Sequence, residues 1–267
     1  MTLATVCLLL LGIWGHSVES AFANGRVVGG STAPDRAYPY QISIRLQDWG
    51  HICGGSIIND GHVLTAAHCV SGENVKDMTV VAGTNRLIDS QQTNYTVREA
   101  IIHEDFQLFL MNDDIAILKL NEKIIFNDRI QPVGLTEVYP PPGTNCTLTG
   151  WGSTVYPWTE FPDQLQHIRL KTISLEECKR KLPLNALPVG QEQICTLTKT
   201  GEGACGGDSG GPLVDNASGG QIGVISWGYS CALGWPDIYT NVYAYRGWIG
   251  ERSGGEAVES TTRNAPF

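Results

Sequence analysis

Three short strings in this sequence carry the side chains that acyl transfer through a serine requires. Such chemistry needs a base to accept the hydroxyl proton, an anion to orient that base, and backbone N–H groups to hold the oxyanion. LTAAHCV offers His68 as the base, and NDDIAILKL offers Asp114 at the head of an apolar strand. GGDSGGP offers Ser209 in a loop whose glycines let the backbone turn sharply towards a substrate oxygen.

Each string is weak on its own, because a histidine beside a cysteine is usually structural and a DSGG loop is usually a simple turn. In the order His, Asp, Ser, however, they match one of the known arrangements of a catalytic triad. The conjunction of the three strings is therefore far more specific than any one of them.

Other chemical signals in the sequence are weaker. GEGACG fits the letters of G-x-G-x-x-G but does not open a helix after a buried strand, so we reject a dinucleotide site. H-E-x-x-H and paired C-x-x-C motifs are absent, so we predict no metal and no cofactor. His51, His62 and His167 have no partner in the pattern, and we expect surface or structural roles for them.

Short strands must position these residues. Runs rich in β-branched and apolar residues, separated by Gly, Pro and Asn turns, are typical of a β-sandwich or barrel. These runs lie at 40–46, 56–60, 78–83, 114–120, 146–152 and 221–228. A helical pattern occurs only near the end, at 243–251. The 267 residues suffice for one large β domain or two small ones.

The N-terminus and the composition indicate an extracellular protein. Residues 4–14 form an apolar run too short to span a bilayer, and small residues suited to cleavage follow, so we predict a signal peptide over 1–20. Its removal leaves seven of the eight cysteines, an odd number. Sequons for N-glycosylation occur at Asn94, Asn145 and Asn216. The net charge of −9 argues against a nucleic-acid partner.

The sequence resembles the chymotrypsin-like serine proteases, which have the trypsin fold. The resemblance runs from Val27 to about Ile249 and rests on RVVGG, CGGSII, LTAAHC, DIAILKL, TGWG, GDSGGP, SWG and YTNV. It implies an all-β protein of two six-stranded antiparallel β-barrels with a short C-terminal helix. The triad would then lie in the cleft between the barrels.

The resemblance also implies a role for each residue of the three strings. His68 would be the general base and Ser209 the nucleophile. Asp114 would orient the histidine, since the D-I-A string puts it, and not its neighbour Asp113, at the family's position. The N–H groups of Gly207 and Ser209 would form the oxyanion hole.

GRVVGG resembles the activation site of this family. Cleavage after Arg26 would free the amino group of Val27, and the new ammonium would insert beside Asp208 and shape the oxyanion hole. Zymogen and enzyme should therefore differ mainly around that buried carboxylate. The predicted organisation is a signal peptide at 1–20, a propeptide at 21–26, a protease domain at 27–251 and a flexible tail at 252–267.

The substrate pocket departs from the trypsin pattern. Six residues before the nucleophile, where trypsin-like members have Asp, this sequence has Gly203, followed by Ala204. Asp237 stands after a proline, where glycine is common, and lines the same pocket from the opposite wall. With Gly228 at an open entrance, the pocket resembles that of the crustacean collagenolytic proteases (brachyurins). Its other implied residues are Ser226 and Trp227.

Three specificities for the residue before the scissile bond (P1) stay open. Brachyurins accept both basic and large apolar side chains, and we rank this broad preference first. A chymotrypsin- or elastase-like preference for apolar residues ranks second, with Asp237 bonded away from the substrate. Strict cleavage after Arg or Lys ranks third.

The resemblance assigns the cysteines and bears on metal binding. It implies three disulfides, Cys53–Cys69, Cys178–Cys195 and Cys205–Cys231. Cys146 has lost its usual partner, because that position is Asp215; burial of the thiol is favoured over pairing between chains. Where calcium-binding members have carboxylates, GTNRLIDSQQTN has Thr84 and Thr93, so no calcium is expected.

The prediction is thus a secreted, digestive type of serine endopeptidase, made as a zymogen and working through an acyl-enzyme. We expect its partners to be protein or peptide substrates, an activating trypsin-like protease and protein protease inhibitors. Nucleic acid and membrane are not expected, and the enzyme should be a monomer. The contrasting alternative is a catalytically inactive homologue that only binds partners.

Overall fold

The computed structural model describes residues 27–153, 161–229 and 231–254. The predicted signal peptide and propeptide, including Arg26, lie outside the described residues, as does the part of the predicted tail from 255 to 267. Every structural statement below concerns the described residues.

The first barrel is built from six strands whose apolar side chains point inwards. The chain begins with β1 (Ser31–Thr32), and the barrel strands are β2 (Gln41–Leu46), β3 (Gly50–Asn59), β4 (His62–Thr65), β5 (Met78–Ala82), β6 (Thr93–Ile102) and β7 (Ala116–Leu120). They close antiparallel in the order β2-β3-β4-β7-β6-β5. Ile42, Ile57, Leu64 and Ile117 are fully buried, so this core consists largely of branched aliphatic residues.

The second barrel is also closed. Its strands are β8 (Asn145–Gly150), β9 (Gln166–Ile173), β10 (Gln193–Thr196), β11 (Pro212–Asp215), β12 (Gln221–Gly228) and β13 (Asp237–Asn241). They follow the order β9-β10-β13-β12-β11-β8, a β8–β9 pairing closes the ring, and β1 adds two residues to the edge of β9. The prediction of two six-stranded antiparallel barrels is confirmed.

Two short α-helices accompany the barrels. Helix α1 (Leu175–Lys181), capped by the Ser174 hydroxyl, was not predicted, because it has seven residues and buries only Cys178. Helix α2 (Arg246–Ser253) corresponds to the helix expected at 243–251 and ends at Gly254 in the left-handed conformation. It therefore extends into the segment predicted as tail. Neither is long and apolar enough to cross a membrane.

The barrels meet through polar contacts that bring their loops together. The Ser56 hydroxyl donates to Gln221 Oε1 at 2.7 Å, and Thr149 Oγ1 donates to Gln41 Oε1 at 2.6 Å. Both bonds are buried, so they fix how one barrel is oriented against the other.

Candidate active site

Asp114 and His68 form a tight pair at the barrel interface. The single 3₁₀ turn after β4 (Ala67–Cys69) carries His68, and Asp114 lies two residues before β7, to which β4 pairs. Asp114 Oδ2 accepts from His68 Nδ1 at 2.8 Å, and Oδ1 accepts from the His68 backbone N–H at 2.9 Å. The carboxylate is buried while the imidazole is partly exposed. Because a carboxylate only accepts, Nδ1 carries the proton and Nε2 is left unprotonated.

The second barrel holds Asp114 in place. Ser226 Oγ donates to Asp114 Oδ2 at 2.5 Å, and Thr240 Oγ1 donates to the Asp114 carbonyl at 2.7 Å. The adjacent Asp113 turns away, with a positive φ of 52°, and accepts from the Tyr245 hydroxyl at 2.6 Å. Geometry thus selects Asp114 over Asp113 as the partner of the imidazole.

The Ser209 loop packs against the segment that leads to His68. The N–H of Gly54 donates to the Ser209 carbonyl at 2.8 Å. At Gly210, with φ 76°, a Cβ would lie 2.2 Å from Thr65 Oγ1 and 3.1 Å from Ala66 N, so only glycine fits. No hydrogen bond joins the Ser209 hydroxyl to His68 Nε2 in the described part of the chain.

Gly207 and Ser209 present unused N–H donors. Gly207 adopts φ 95°, a conformation that favours glycine. Within the described ranges no group accepts a hydrogen bond from either N–H, whereas the N–H groups of Asp208 and Gly210 are both used. Two free donors on one loop are what an oxyanion requires.

His51, for which the sequence predicted a surface or structural role, is buried against the loop that carries Ser209. Its Nε2 lies 3.0 Å from the Gly207 carbonyl, and its Nδ1 lies 2.8 Å from Ser43 Oγ. A carbonyl only accepts, so Nε2–H donates to it and Nδ1 accepts from Ser43. Burial lowers the pKa of His51 to about 4, which keeps the ring neutral. No motif marks His51, since Gly207 lies 156 positions away in the sequence.

Asp208 is completely buried among backbone donors. Its Oδ1 accepts from the Gly152 N–H at 2.7 Å and its Oδ2 from the Cys205 N–H at 3.0 Å. No described cation accompanies these two bonds, and burial raises the pKa of Asp208 to about 7. Val27 is also fully buried, within the core of the second barrel, and the Val28 carbonyl accepts from the Gly203 N–H at 3.1 Å.

A cavity of about 240 Å³ opens beside Ser209. It is lined by Ala204, Cys205, Gly206, Ser209, Ile225, Ser226, Trp227, Gly228, Cys231 and Asp237. Asp237 Oδ2 accepts from the Ala204 N–H at 2.9 Å. A Cβ at Gly203 would approach that oxygen to 2.4 Å, and one at Gly228 would lie 3.0 Å from Oδ1. The two glycines therefore make room for the carboxylate.

Comparison with known proteins gives the family of this chain. The family model described as Trypsin matches residues 27–249. The chain belongs to the trypsin family. Chymotrypsin-2 of Vespa crabro is 40% identical over 224 residues, or 84% of this chain and 98% of that protein. Serine protease 1 of Rattus norvegicus is 35% identical over 248 residues, or 91% and 96%.

As a member of the trypsin family, the chain is a serine endopeptidase. Its relatives include proteins named both for trypsin and for chymotrypsin: Trypsin theta of Drosophila melanogaster is 37% identical over 227 residues, covering 84% of this chain and 85% of that protein. Family membership therefore gives the reaction class and leaves the P1 preference to the pocket itself.

Three disulfides brace this trypsin-family domain, and they are the pairs that the resemblance implies. Cys53–Cys69 ties β3 to the turn that carries His68, Cys178–Cys195 ties α1 to β10, and Cys205–Cys231 joins two walls of the cavity. Cys146 is a free, buried thiol, and burial raises its pKa to about 12. The sequence analysis favoured a buried thiol at Cys146, and the thiol is buried in the structure.

Asp215, which lies opposite Cys146, forms hydrogen bonds within its own turn. Asp215 pairs with Cys146 across β8 and β11, but its carboxylate turns back to accept from the Ala217 and Ser218 N–H groups. It therefore caps the turn after β11, and the bridge of the family is replaced by a local polar turn.

The remaining predicted sites lie at the surface. Asn94, Asn145 and Asn216 are all exposed. In the loop matched to calcium binding, Thr84 Oγ1 donates to Asp89 at 2.7 Å, so hydrogen bonds close the loop. Among the described residues one cluster has metal-binding spacing, Cys53, His68 and Cys69, but its cysteines are already joined to each other.

Proposed function

We propose that this chain is a secreted, zymogen-derived endopeptidase that cleaves peptide bonds through Ser209, His68 and Asp114. The observation that carries the proposal is the His68 imidazole, which donates from Nδ1 to a buried carboxylate and leaves Nε2 unprotonated, with the disulfide sulfur of Cys69 as its described contact at 3.8 Å. An imidazole in this tautomer can accept a proton at Nε2.

The proposed reaction runs in two halves. Ser209 Oγ attacks the peptide carbonyl as His68 Nε2 takes its proton, and the resulting imidazolium gives that proton to the leaving amine. Water then attacks the acyl-enzyme with the same base. Asp114 stabilises the imidazolium in both halves, and the free N–H groups of Gly207 and Ser209 hold the oxyanion.

We propose that cleavage after Arg26 activates the enzyme. Asp208 supports this, because a fully buried carboxylate with only two backbone donors lacks a compensating cation. The ammonium freed at Val27 would supply the missing charge and fix the loop from Cys205 to Ser209. The buried position of Val27 fits such an insertion.

We propose further that the enzyme is secreted and acts as a monomer on protein substrates, subject to protein inhibitors. The predicted signal peptide supports secretion, as do three disulfides, which form in oxidising compartments, and exposed asparagines in all three sequons. The same exposure makes these asparagines acceptable sites for glycans.

The pocket supports a broad, brachyurin-type P1 preference, and the resemblance to brachyurins extends the proposal to the degradation of collagen. Its walls are mostly apolar atoms and glycines, which suit large apolar side chains. Asp237 adds one carboxylate, whose Oδ1 has no hydrogen-bond partner among the described residues. That oxygen is placed to receive an Arg or Lys side chain. A purely apolar preference is the second candidate, favoured by the burial of Asp237.

Two experiments test these proposals. Protein cleaved after Arg26 is titrated with a fluorophosphonate, with Ser209→Ala as control; absence of labelling in the wild type would leave only a binding role. A peptide library is then cut by wild type and Asp237→Gly. Cleavage after Arg, Lys, Leu, Phe and Tyr, with only the basic sites lost in the variant, supports the broad preference. Cleavage after apolar residues alone by both proteins supports the second candidate.

A further inference from the structure

We infer that Asp237 acts as a proton-controlled selector in the pocket: its protonated form favours apolar P1 side chains, and its ionised form favours Arg and Lys. This inference rests on the broad P1 preference proposed above. It adds that the ratio of the two activities is set by pH within the range in which the enzyme works.

The geometry leaves this carboxylate without the contacts that normally hold the charged form. One N–H, from Ala204, donates to Oδ2 at 2.9 Å, and no second donor is found among the described residues. By contrast, the carboxylate of Asp114 accepts three hydrogen bonds. Asp237 is only 8% exposed, so water compensates little for the missing donors.

Among the described residues, none of the charged or titratable groups near Asp237 is a cation that pairs with its carboxylate. The loop before β11 contributes Asp208, which repels a second carboxylate, and β13 contributes Tyr239, whose hydroxyl is shared with Thr196. The facing residues of β10 and β12 are the uncharged Thr196 and Gly228. Lys199, on the loop leading to Gly203, is already paired with Glu202 at 3.0 Å.

Burial, helped by the charge of Asp208, accordingly raises the pKa of Asp237 to about 7. Activation by a Val27 ammonium would offset the charge of Asp208, which leaves burial, the largest cause, to keep the pKa of Asp237 raised in the mature enzyme. The pocket then exists in two protonation states near neutral pH, and each state fits a different class of side chain.

Proton balance links substrate choice to pH. An Arg side chain that enters the protonated pocket requires the loss of one proton from Asp237 to solvent. A Leu or Phe side chain requires the neutral form, because it would cover an unpaired carboxylate otherwise. Acidic conditions therefore favour apolar cleavage, and mildly alkaline conditions favour basic cleavage.

The test uses enzyme cleaved after Arg26 and three substrates that differ only at P1: Arg, its neutral isostere citrulline, and Leu. Values of kcat/KM are measured from pH 5 to pH 9. Ratios between substrates cancel every pH dependence that the three reactions share. The Arg-to-citrulline ratio is expected to rise about tenfold per pH unit up to about pH 7 and then to level off.

Asp237→Asn is the matched variant, because its amide oxygen can keep the bond from Ala204 N–H while losing the charge. The Arg-to-citrulline ratio of kcat/KM for Asp237→Asn should be low and independent of pH. Asp60→Asn, which removes an exposed acid paired with Lys123 in the first barrel, should retain the wild-type curve.

The outcomes separate the inference from the proposed function. If the wild type cleaves no Arg substrate at any pH, the broad P1 preference itself is wrong. If the wild type cleaves both the Arg and the Leu substrate, and the Arg-to-citrulline ratio does not change with pH, only the inferred control by protonation of Asp237 is wrong.

A second measurement does not depend on turnover. Binding of benzamidine, a small aromatic cation, is measured by calorimetry at pH 6 in two buffers with different ionisation enthalpies. The wild type should release about one proton on binding and Asp237→Asn none. Binding without proton release overturns the selector, and no binding between pH 5 and pH 9 contradicts entry of cations.

Discussion

Asp114 and Asp237 are two buried carboxylates in one active site, and they differ in how fully they are hydrogen-bonded. Asp114 accepts from the His68 backbone, the His68 ring and Ser226, whereas among the described residues Asp237 accepts only from the Ala204 N–H. A saturated carboxylate is fixed and can position another group. An unsaturated one retains an open oxygen and can bind a ligand or a proton. The comparison therefore fits the two proposed roles, in which Asp114 positions His68 and Asp237 binds the P1 side chain.

The largest effect on kcat is expected from substitution of Asp114, the fully hydrogen-bonded carboxylate. Asp114→Asn places an amide N–H₂ opposite His68 Nδ1, which forces the wrong tautomer and removes the free base at Nε2. We expect kcat to fall by about 10⁴-fold, the loss described for this change in serine proteases of the same triad, with little change in KM. Steady-state kinetics on a peptide substrate measure this.

The neighbouring Asp113→Asn is the matched control. It faces Tyr245 and not His68, so kcat should change by no more than a few fold. An equal loss in both variants would contradict the assignment of Asp114.

Asp237 should instead affect the dependence of stability on pH. Its pKa in the folded protein lies above the value of about 4 expected when unfolded, so the native state holds the proton more tightly. Its contribution to the free energy of unfolding is then lost as pH rises from about 4 to about 7. Asp237→Asn should match the wild type near pH 4 and exceed it by about 2–4 kcal/mol at pH 8.

Urea unfolding in a Ser209→Ala background, which prevents self-digestion, measures this difference. Asp60→Asn in the same background should follow the wild type at both pH values. Parallel curves for Asp237→Asn and the wild type would mean that Asp237 is not held with a raised pKa.

His51 extends the comparison to a third buried group. Like Asp114 it is saturated, with one donated and one accepted hydrogen bond, so it should position the Gly207 peptide. His51→Phe should lower kcat by about 10- to 100-fold, somewhat less than the loss of an oxyanion donor itself. His51→Gln, whose amide can still donate to the Gly207 carbonyl, should recover much of that loss.

A melting temperature for each His51 variant checks that the fold survives. If His51→Phe and His51→Gln lower kcat equally while both proteins remain folded, the hydrogen bond from His51 to the Gly207 carbonyl does not account for the loss.

The smallest effect is expected when Asp114 loses one of its three donors. Ser226→Ala removes the bond from Oγ, and the two bonds from His68 remain. Because a hydrogen bond to a charged group contributes about 1.5–3 kcal/mol, and the change is shared between ground and transition states, we expect kcat to fall by about tenfold. A loss as large as that of Asp114→Asn would show that Ser226 does more than support the carboxylate.

Much of the fold could be predicted from the sequence. The strands at 40–46, 78–83 and 221–228 were found within a residue or so of their observed bounds, because dense β-branched residues between Gly and Pro turns leave few alternatives. Helix α1 was missed because one buried residue gives no periodic pattern. The open oxyanion donors were expected from the glycines around Ser209, since only glycine takes a φ such as 95° cheaply.

By itself the sequence predicted the residues that are proposed to carry the chemistry, because the His, Asp and Ser strings are local and chemically constrained. Its resemblance to the serine proteases implied an acid in the pocket and left Cys146 as the unpaired cysteine. Only the tertiary structure decided how these groups are satisfied: that Asp114 has three donors, that Asp237 has one, and that His51 reaches Gly207. These hydrogen bonds join residues from 33 to 156 positions apart, and the two that join Ser226 to Asp114 and His51 to Gly207 form only when the two closed barrels pack together.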